Sequence, residues 1–418
     1  MSDLKTFIEI LDEKYGVKEI NKEVSTKFEI AKIIKKYENK TLIFNNIAES
    51  DIPIVSGVCN TREKICTALN CKNLLKKTLD GMDNPKPIKK IEKLDKKEYT
   101  TKKVDLNLLP ILRHYKKDGG RYITSGIVIA KDPNTGIRNA SIHRMMVIDK
   151  NKVAIRIVPR DLYTYYKESE KLGKDLEVAV VIGVHPAVLF ASSISVPINQ
   201  DELEIANYFH QGEMKLFKCE DVDIEVPKSE IILEGKILAN KRAEEGPFLD
   251  ITGTYDLVRR EPILKFEKMH IRKDAIYHAI LPAGYEHMLL QGIPQEARIY
   301  KAVKNTLPTV KDVKLTEGGC CWLHAVISIK KRTEGDAKNV IMAALSAHPS
   351  LKHVVVTDED IDISNLREVE YAIATRVRGD RDILIIPNVR GSSLDPMAKP
   401  DGTTTKVGID ATKPLKNG

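Results

Sequence analysis

The stretch Ile-Arg-Asn-Ala-Ser-Ile-His-Arg-Met-Met-Val-Ile-Asp-Lys-Asn-Lys-Val-Ala-Ile-Arg-Ile-Val-Pro-Arg-Asp, residues 137–161, decides how this chain is read. Its aliphatic residues predict two strands joined by a turn at Asp149-Lys150-Asn151-Lys152. The second strand runs through Pro159 toward a helix capped by Asp161. Asn139, Ser141, His143, Arg144, Arg156, Arg160 and Asp161 interrupt the aliphatic pattern. Buried without partners, that many polar groups would be too costly for two core strands. The hairpin is therefore either an exposed edge or the wall of a site for a charged ligand, and the density of polar groups favours the site.

On the N-terminal side, residues 122–130 predict a strand that turns at Lys131-Asp132-Pro133-Asn134-Thr135-Gly136. On the other side come a helix over 162–172 closed by Gly173, a strand over 177–183, a helix over 202–208 and an alternating strand over 224–237. The middle of the chain thus reads as a β-rich unit with inserted helices. Before it, helical periodicity at 4–15, 27–37 and 62–75 surrounds a short strand at 41–44, a small α/β region. Residues 81–103 are Pro- and Lys-rich and read as a linker. Beyond it, a helix from Pro294, strands at 321–329, 353–356 and 383–386 and a helix at 336–345 precede a Gly/Ser/Pro/Thr-rich tail, a separate α/β domain. The class is α+β, with divisions at 1–103, 104–293 and 294–418.

A chain of 418 residues with 30% charged and 42% hydrophobic residues is an ordinary globular protein. No apolar run reaches the length of a membrane span, and the opening Met-Ser-Asp-Leu-Lys has no signal-peptide core, so the expected place is the cytoplasm. The net charge of +8 is spread through Glu-rich stretches with few aromatics, which argues against a nucleic-acid partner. The six cysteines form no paired Cys-x-x-Cys motif, which points to reduced thiols in place of a zinc site.

Three further places carry acids or a histidine. Glu244-Glu245-Gly246-Pro247-Phe248-Leu249-Asp250 sets carboxylates on either side of a rigid turn: a solvated surface turn, or a pair whose mutual repulsion leaves one a proton to donate. Asp201-Glu202-Leu203-Glu204 begins a helix, where acids favour the dipole, and a metal ligand among them would need a partner from elsewhere. Tyr285-Glu286-His287 reads as structural. Asn139 can offer an oxygen to a hard divalent ion that Glu202 also binds, leaving Arg144 free to grip a carboxylate. Five residues separate Asn139 from Arg144, so a regular strand sends them to opposite faces, and they share a pocket only if the backbone is irregular near residues 140–142.

Arg121-Tyr122-Ile123-Thr124-Ser125-Gly126, Arg138-Asn139-Ala140-Ser141-Ile142-His143-Arg144, Glu245-Gly246-Pro247-Phe248, Leu281-Pro282 with Glu286-His287, and Arg390-Gly391-Ser392-Ser393-Leu394-Asp395-Pro396 follow one another in this order. Together they resemble the UbiD family of prenylated-flavin-dependent decarboxylases over nearly the whole chain. The resemblance implies a split β-barrel flavin-binding domain between a small N-terminal region and a C-terminal oligomerisation domain. It also implies prenylated FMN as cofactor, with Mn2+ and a monovalent cation (K+) at its phosphate. Asn139 and Glu202 match the metal ligands. Asp161 stands where many relatives carry a third ligand, His. Ser141, Ile142, His143, Arg144, Arg156 and Arg160 match the cofactor-contacting segment, and Ala191-Ser192-Ser193-Ile194 the loop whose carbonyls hold the monovalent cation. Arg144, Glu245 and Asp250 match the catalytic network, with Asp250 as proton donor. The expected substrate is an α,β-unsaturated or aromatic acid, a flavin prenyltransferase would supply the cofactor, and a homo-oligomer is expected.

Overall fold

The computed structural model describes residues 3–415; Met1 and Ser2, which open the stretch read for a signal peptide, lie outside the described residues. The chain divides into two compact units, residues 1–287 and 288–418. The first holds the predicted hairpin within a nine-stranded sheet. In chain order its strands are β1 (Tyr99–Lys103), β2 (Tyr122–Ile123), β3 (Ile127–Lys131), β4 (Arg138–Ile142), β5 (Met145–Asp149), β6 (Lys152–Ile155), β7 (Leu176–Val184), β8 (Ser229–Glu245) and β9 (Arg259–Arg272). They lie side by side as β2-β5-β6-β9-β8-β7-β3-β4, with β1 continuing along β9.

This order forces the sheet to curl. β2 and β3 stand six positions apart, roughly 29 Å across a flat sheet at ~4.8 Å per strand. Only Thr124-Ser125-Gly126 joins them, a reach of at most roughly 14 Å. The same holds for β4, the last strand of the order, and β5, the second, also six positions apart and joined by His143-Arg144 alone. The sheet is a barrel left open along one seam, and the chain crosses that seam at residues 124–126 and 143–144. The His143 amide donates to Gly126 O at 3.3 Å, which ties the two crossings together.

Alternation along the strands separates two surfaces. Ile123, Met145, Val153 and Ile155 join Val178, Val180, Ile231, Leu233, Leu264 and Phe266 in the main core. Tyr122, Met146 and Ala154, one residue out of step, gather with Phe248 in a small separate cluster. Leu162, Tyr165 and Tyr166 of the helix α1 (Asp161–Lys171) pack into the main core.

Several expectations require correction. The stretch 137–161 forms three strands in place of two, because β4 pairs with β3 while β5 and β6 make the hairpin. Residues 140–142 are regular strand, and the irregularity lies at the seam, His143-Arg144. The helix over 62–75 is two, Arg62–Ala68 and Leu74–Asp83, because Asn70 takes a left-handed φ of 48° and Asn73 caps the second. The linker contains strands Lys90–Lys93 and Tyr99–Lys103; their lysines point to solvent, as suits sheet edges. The N-terminal strands Val17–Ile20, Thr41–Phe44 and Ile54–Ser56 are completed by Tyr277–His278 from far along the chain.

In the second unit, a helix over Tyr285–Thr306 (whose first turn belongs to the first unit) starts nine residues before the expected Pro294, with the proline inside it. The five-stranded sheet runs Val310–Leu315, His324–Ile329, His353–Asp358, Thr403–Ala411, Ile383–Arg390. Thr403–Ala411, read as tail, is an interior strand of it.

Candidate active site

Two polar clusters meet the seam. The first is built on Arg144. Glu245 ends β8 after a register shift between Ile237 and Arg242 that turns the strand's last residues onto Arg259 through Pro262. A short hairpin follows: Phe248–Leu249 pairs with Tyr255–Asp256, and Asp250 opens its turn by accepting from Gly253 N at 2.8 Å. Arg144 therefore meets three acids. Its Nε and Nη2 donate side-on to Glu245, both at 2.9 Å; Nη1 donates to Asp250 at 2.6 Å and Nη2 to Asp256 at 2.9 Å. The guanidinium also lies over the Phe248 ring, 4.8 Å from its centroid, and Tyr122 donates its hydroxyl to Glu245 at 3.1 Å. Burial works against the charge on Arg144, but hydrogen bonding to Glu245 and the charges of Glu245, Asp250 and Asp256 outweigh it and hold its pKa above the ordinary value. In this arrangement Arg144 is not free for an incoming carboxylate, contrary to the sequence expectation.

The loop at 115–120 fixes the acid-bearing segment from outside. The Gly119 amide donates to Pro247 O at 2.8 Å, and a Cβ at Gly119 would stand 2.1 Å from Gly246 O, so only glycine allows the approach. Asp118, 1% exposed, accepts from Tyr115 N at 2.8 Å and from Leu249 N at 3.4 Å.

The second cluster is built on Asn139, opposite Ala130 in the β3–β4 pair, and Glu202, the first residue of the helix α2 (Glu202–Phe209). Asn139 Nδ2 donates to one Glu202 oxygen and the Ala140 amide to the other, each at 2.8 Å. Asp201 caps the helix and pairs with Arg138, as its position at a helix start suggests. Glu202 is 3% exposed, and burial pushes its pKa up to about 8, with the Asp201 and Asp161 charges adding to the shift. A carboxylate so placed is ionised comfortably only beside a cation.

Ser141 and His143 connect the clusters. Burial, with the charges of Arg160 and Arg156, lowers the His143 pKa to about 4, so the ring is neutral. Its Nδ1 lies 2.9 Å from Arg156 O, a carbonyl that can only accept, so the proton sits on Nδ1 and Nε2 accepts from Ser141 Oγ at 2.9 Å. Ser141 Oγ also lies 2.9 Å from Asn139 Oδ1, toward which its hydroxyl can turn, and that carbonyl oxygen has a second lone pair for a cation. The Arg156 amide donates to Arg144 O at 3.2 Å, completing the chain between the clusters.

The donor set fits a hard divalent ion: an amide oxygen and a buried carboxylate, with Asp161 near enough to repel it. Among the described residues no group of three or more His, Cys, Asp or Glu is placed to hold a metal. Asp161 is not the N-cap expected from the sequence. Arg160 takes that position without a side-chain cap bond, which leaves the first amides of α1 open to an anion. Arg160 Nη1 donates to Ser195 at 2.6 Å, and Arg156 pairs with Glu261 at 2.6 Å. Ile142 closes β4 opposite Ile127. Ser192, in the stretch 191–194, has a buried hydroxyl with no protein partner.

Arg144, Glu245 and Asp250 thus converge, as do Asn139, Glu202, Ser141 and His143. Asp256, Asp118 and Glu261 join the site without having been singled out in the sequence, and Tyr122 and Phe248, which stand in the quoted motifs, had been given no role there. Asp256 had a usable signal, since Thr252-Gly253-Thr254 marks a turn that brings it back toward Asp250. Glu261, inside an alternating strand, had none.

Three family models match in succession: the 3-octaprenyl-4-hydroxybenzoate carboxy-lyase N-terminal domain at residues 8–82, its Rift-related domain at 89–285 and its C-terminal domain at 288–411. The chain is 61% identical over 414 residues to an anhydromevalonate phosphate decarboxylase of Methanothermobacter thermautotrophicus, covering 99% of this chain and 97% of the relative. It is 39% identical over 418 residues to the protein of that name from Aeropyrum pernix, covering 100% and 94%. The UbiD-class enzyme HmfF from Pelotomaculum thermopropionicum, solved with FMN, superposes with a TM-score of 0.96 at 40% identity, covering 99% of this chain and 95% of that one. An evolved dimeric form of HmfF solved with prFMN gives 0.92 at 39% identity, covering 99% and 96%. With all three domains present in order and this identity over its length, the chain belongs to the UbiD family of carboxy-lyases.

Proposed function

We propose that this chain is a prenylated-FMN-dependent, non-oxidative decarboxylase of an α,β-unsaturated acid. Its substrate is trans-anhydromevalonate 5-phosphate and its products are isopentenyl phosphate and CO2, in the mevalonate route to isoprenoids. The observation that carries the reaction type is the convergence of Glu245, Asp250 and Asp256 on Arg144 at the seam. The substrate rests on the name shared by relatives 39% to 61% identical to this chain. Prenylated FMN, when bound, supplies the electron sink that a carboxylate on an sp2 carbon needs in order to leave.

The chain's residues do the rest. Arg144 orients the substrate carboxylate once an acid yields its place on the guanidinium. Glu245 holds Arg144 in plane through the side-on pair. Asp250 delivers the proton to the carbon that has lost CO2. Phe248 and Tyr122 wall that side from water. Asn139 and Glu202 hold Mn2+, with Asp161 as a third acid toward it. Arg160 and the start of α1 meet the cofactor phosphate, and Ser192 belongs to the K+ loop. The enzyme works in the cytoplasm as a homo-oligomer, and a flavin prenyltransferase provides the cofactor.

The test is CO2 release by holoenzyme co-expressed with a flavin prenyltransferase. Release from trans-anhydromevalonate 5-phosphate and none from 4-hydroxybenzoate supports the reading. The opposite result favours a 4-hydroxybenzoate-type aromatic acid decarboxylase of quinone synthesis, a reading related to the 3-octaprenyl-4-hydroxybenzoate carboxy-lyase for which the family models are described.

A further inference from the structure

Arg144 offers more than one edge to a carboxylate. Glu245 fills the Nε/Nη2 edge side-on. The Nη1/Nη2 edge, the one open to end-on pairing, is divided between two other acids, Asp250 on Nη1 and Asp256 on Nη2. Both acids accept the following backbone amide on Oδ1, but Asp256 also has a second cation behind it. Its Oδ1 accepts from Arg259 Nη1 at 2.6 Å and from Leu257 N at 2.9 Å, while Oδ2 takes the Arg144 bond. Its side chain is 6% exposed, so these contacts are made largely out of water.

We propose that Asp256 is a positioning residue of the decarboxylation site: bridged between Arg259 and Arg144, it competes with the substrate carboxylate for the end-on edge and limits how tightly Arg144 grips the acid. This rests on the reading that Arg144 receives the substrate carboxylate. The reaction gives the arrangement a purpose. The carboxylate loses its charge and leaves as CO2, and the electron pair of the broken C–C bond, which the cofactor would hold in the interval, returns to carbon to make the new C–H bond with a proton from Asp250. A guanidinium free to clamp the carboxylate end-on would stabilise the charged ground state more than a transition state from which that charge is draining. Asp256 takes up part of that grip, and Arg259 decides how much. With Arg259 in place, one Asp256 oxygen is drawn toward a second cation; without it, Arg144 is the only cation left on Asp256, whose Oδ1 keeps just the Leu257 amide.

The two substitutions therefore act in opposite directions. In holoenzyme, Asp256→Asn lowers KM for trans-anhydromevalonate 5-phosphate and Ki for its saturated analogue by roughly tenfold, the effect of one charge-assisted hydrogen bond gained, and lowers kcat with them. Arg259→Gln raises both constants by a similar factor. A merely structural role would move both variants the same way, so KM and Ki shifts of one sign, or no shift in Asp256→Asn, overturn the proposal. If Asp256→Asn does not accumulate as folded protein, Arg259→Gln decides alone: an unchanged or lower Ki overturns it. Failure of the wild-type enzyme to release CO2 would refute the functional reading instead, and Ki of the saturated acid, measured by binding, would still test Asp256.

Discussion

Replacing Asp250 by Asn separates chemistry from structure at this site. The carboxylate is 12% exposed, receives Arg144 Nη1 at 2.6 Å on Oδ2 and Ile251 N at 2.7 Å on Oδ1. An Asn of the same shape keeps one acceptor and the backbone bond from residue 250 N to Thr254 O at 3.0 Å. What is lost is the charge in one hydrogen bond, about 1 kcal/mol of stability, and Glu245 and Asp256 still hold Arg144. The catalytic loss is far larger. An amide cannot supply the proton, and a positioned general acid contributes roughly 10²- to 10⁴-fold, or about 3–5 kcal/mol of barrier. The assay is CO2 release under single-turnover conditions with wild-type and variant holoenzymes matched for cofactor content by absorbance, alongside thermal melts of both. A melting shift of a few degrees with turnover reduced at least a hundredfold is expected. Turnover at the wild-type rate would refute the role of Asp250, and loss of cofactor binding with turnover would show that it holds the site together instead.

Glu245→Ala leaves Arg144 without its side-on partner in a buried setting and should cost about 3–5 kcal/mol in denaturant unfolding, with Glu245→Gln costing less. Gly119→Ala drives a Cβ into Gly246 O and displaces the segment that carries Glu245 and Asp250, so kcat should fall while the metal content per chain stays unchanged. Glu202→Gln should lower the Mn2+ retained per chain, measured by elemental mass spectrometry after purification in Mn2+. His114 and His185, each 2% exposed, have pKa values lowered to about 3 by burial. The unfolded chain binds their protons below about pH 6.5 and the folded chain does not, so stability is full above that pH and falls as pH drops toward 3. Between pH 7 and pH 5 each should cost about 2 kcal/mol, read from denaturant midpoints at the two values, and equal midpoints would contradict it.

Periodicity made most single elements legible. Strand Thr41–Phe44 and helices Leu4–Tyr15 and Glu202–Phe209 follow directly from spacing of apolar side chains. Elements whose place is set by backbone pairing were hidden. Thr403–Ala411 and Tyr99–Lys103 are rich in Thr and Lys and resemble tail and linker, and only their sheet partners make them strands. Tyr277–His278 completes a sheet begun more than two hundred residues earlier, a pairing that no local pattern encodes. At the site, Arg144, Glu245 and Asp250 were found by resemblance; spacing alone left the acids as a solvated turn. Parity along a strand argued against Asn139 and Arg144 sharing a pocket, and would have been right for an unbroken strand. The seam crossing at His143-Arg144 ends one strand and starts another six positions away in the sheet order, so the parity rule does not span it. Asp256 stayed hidden because its partner Arg144 lies 112 residues away and meets it only through the return of a two-residue hairpin.

The most direct measurement runs the holoenzyme with trans-anhydromevalonate 5-phosphate in D2O and analyses the product by mass and NMR. One equivalent of CO2 and one deuterium on the carbon that bore the carboxylate are expected, because a carboxyl proton delivered by Asp250 exchanges with solvent before each turnover. CO2 without deuterium at that carbon, or no CO2 from enzyme whose cofactor is present by mass, would contradict this expectation.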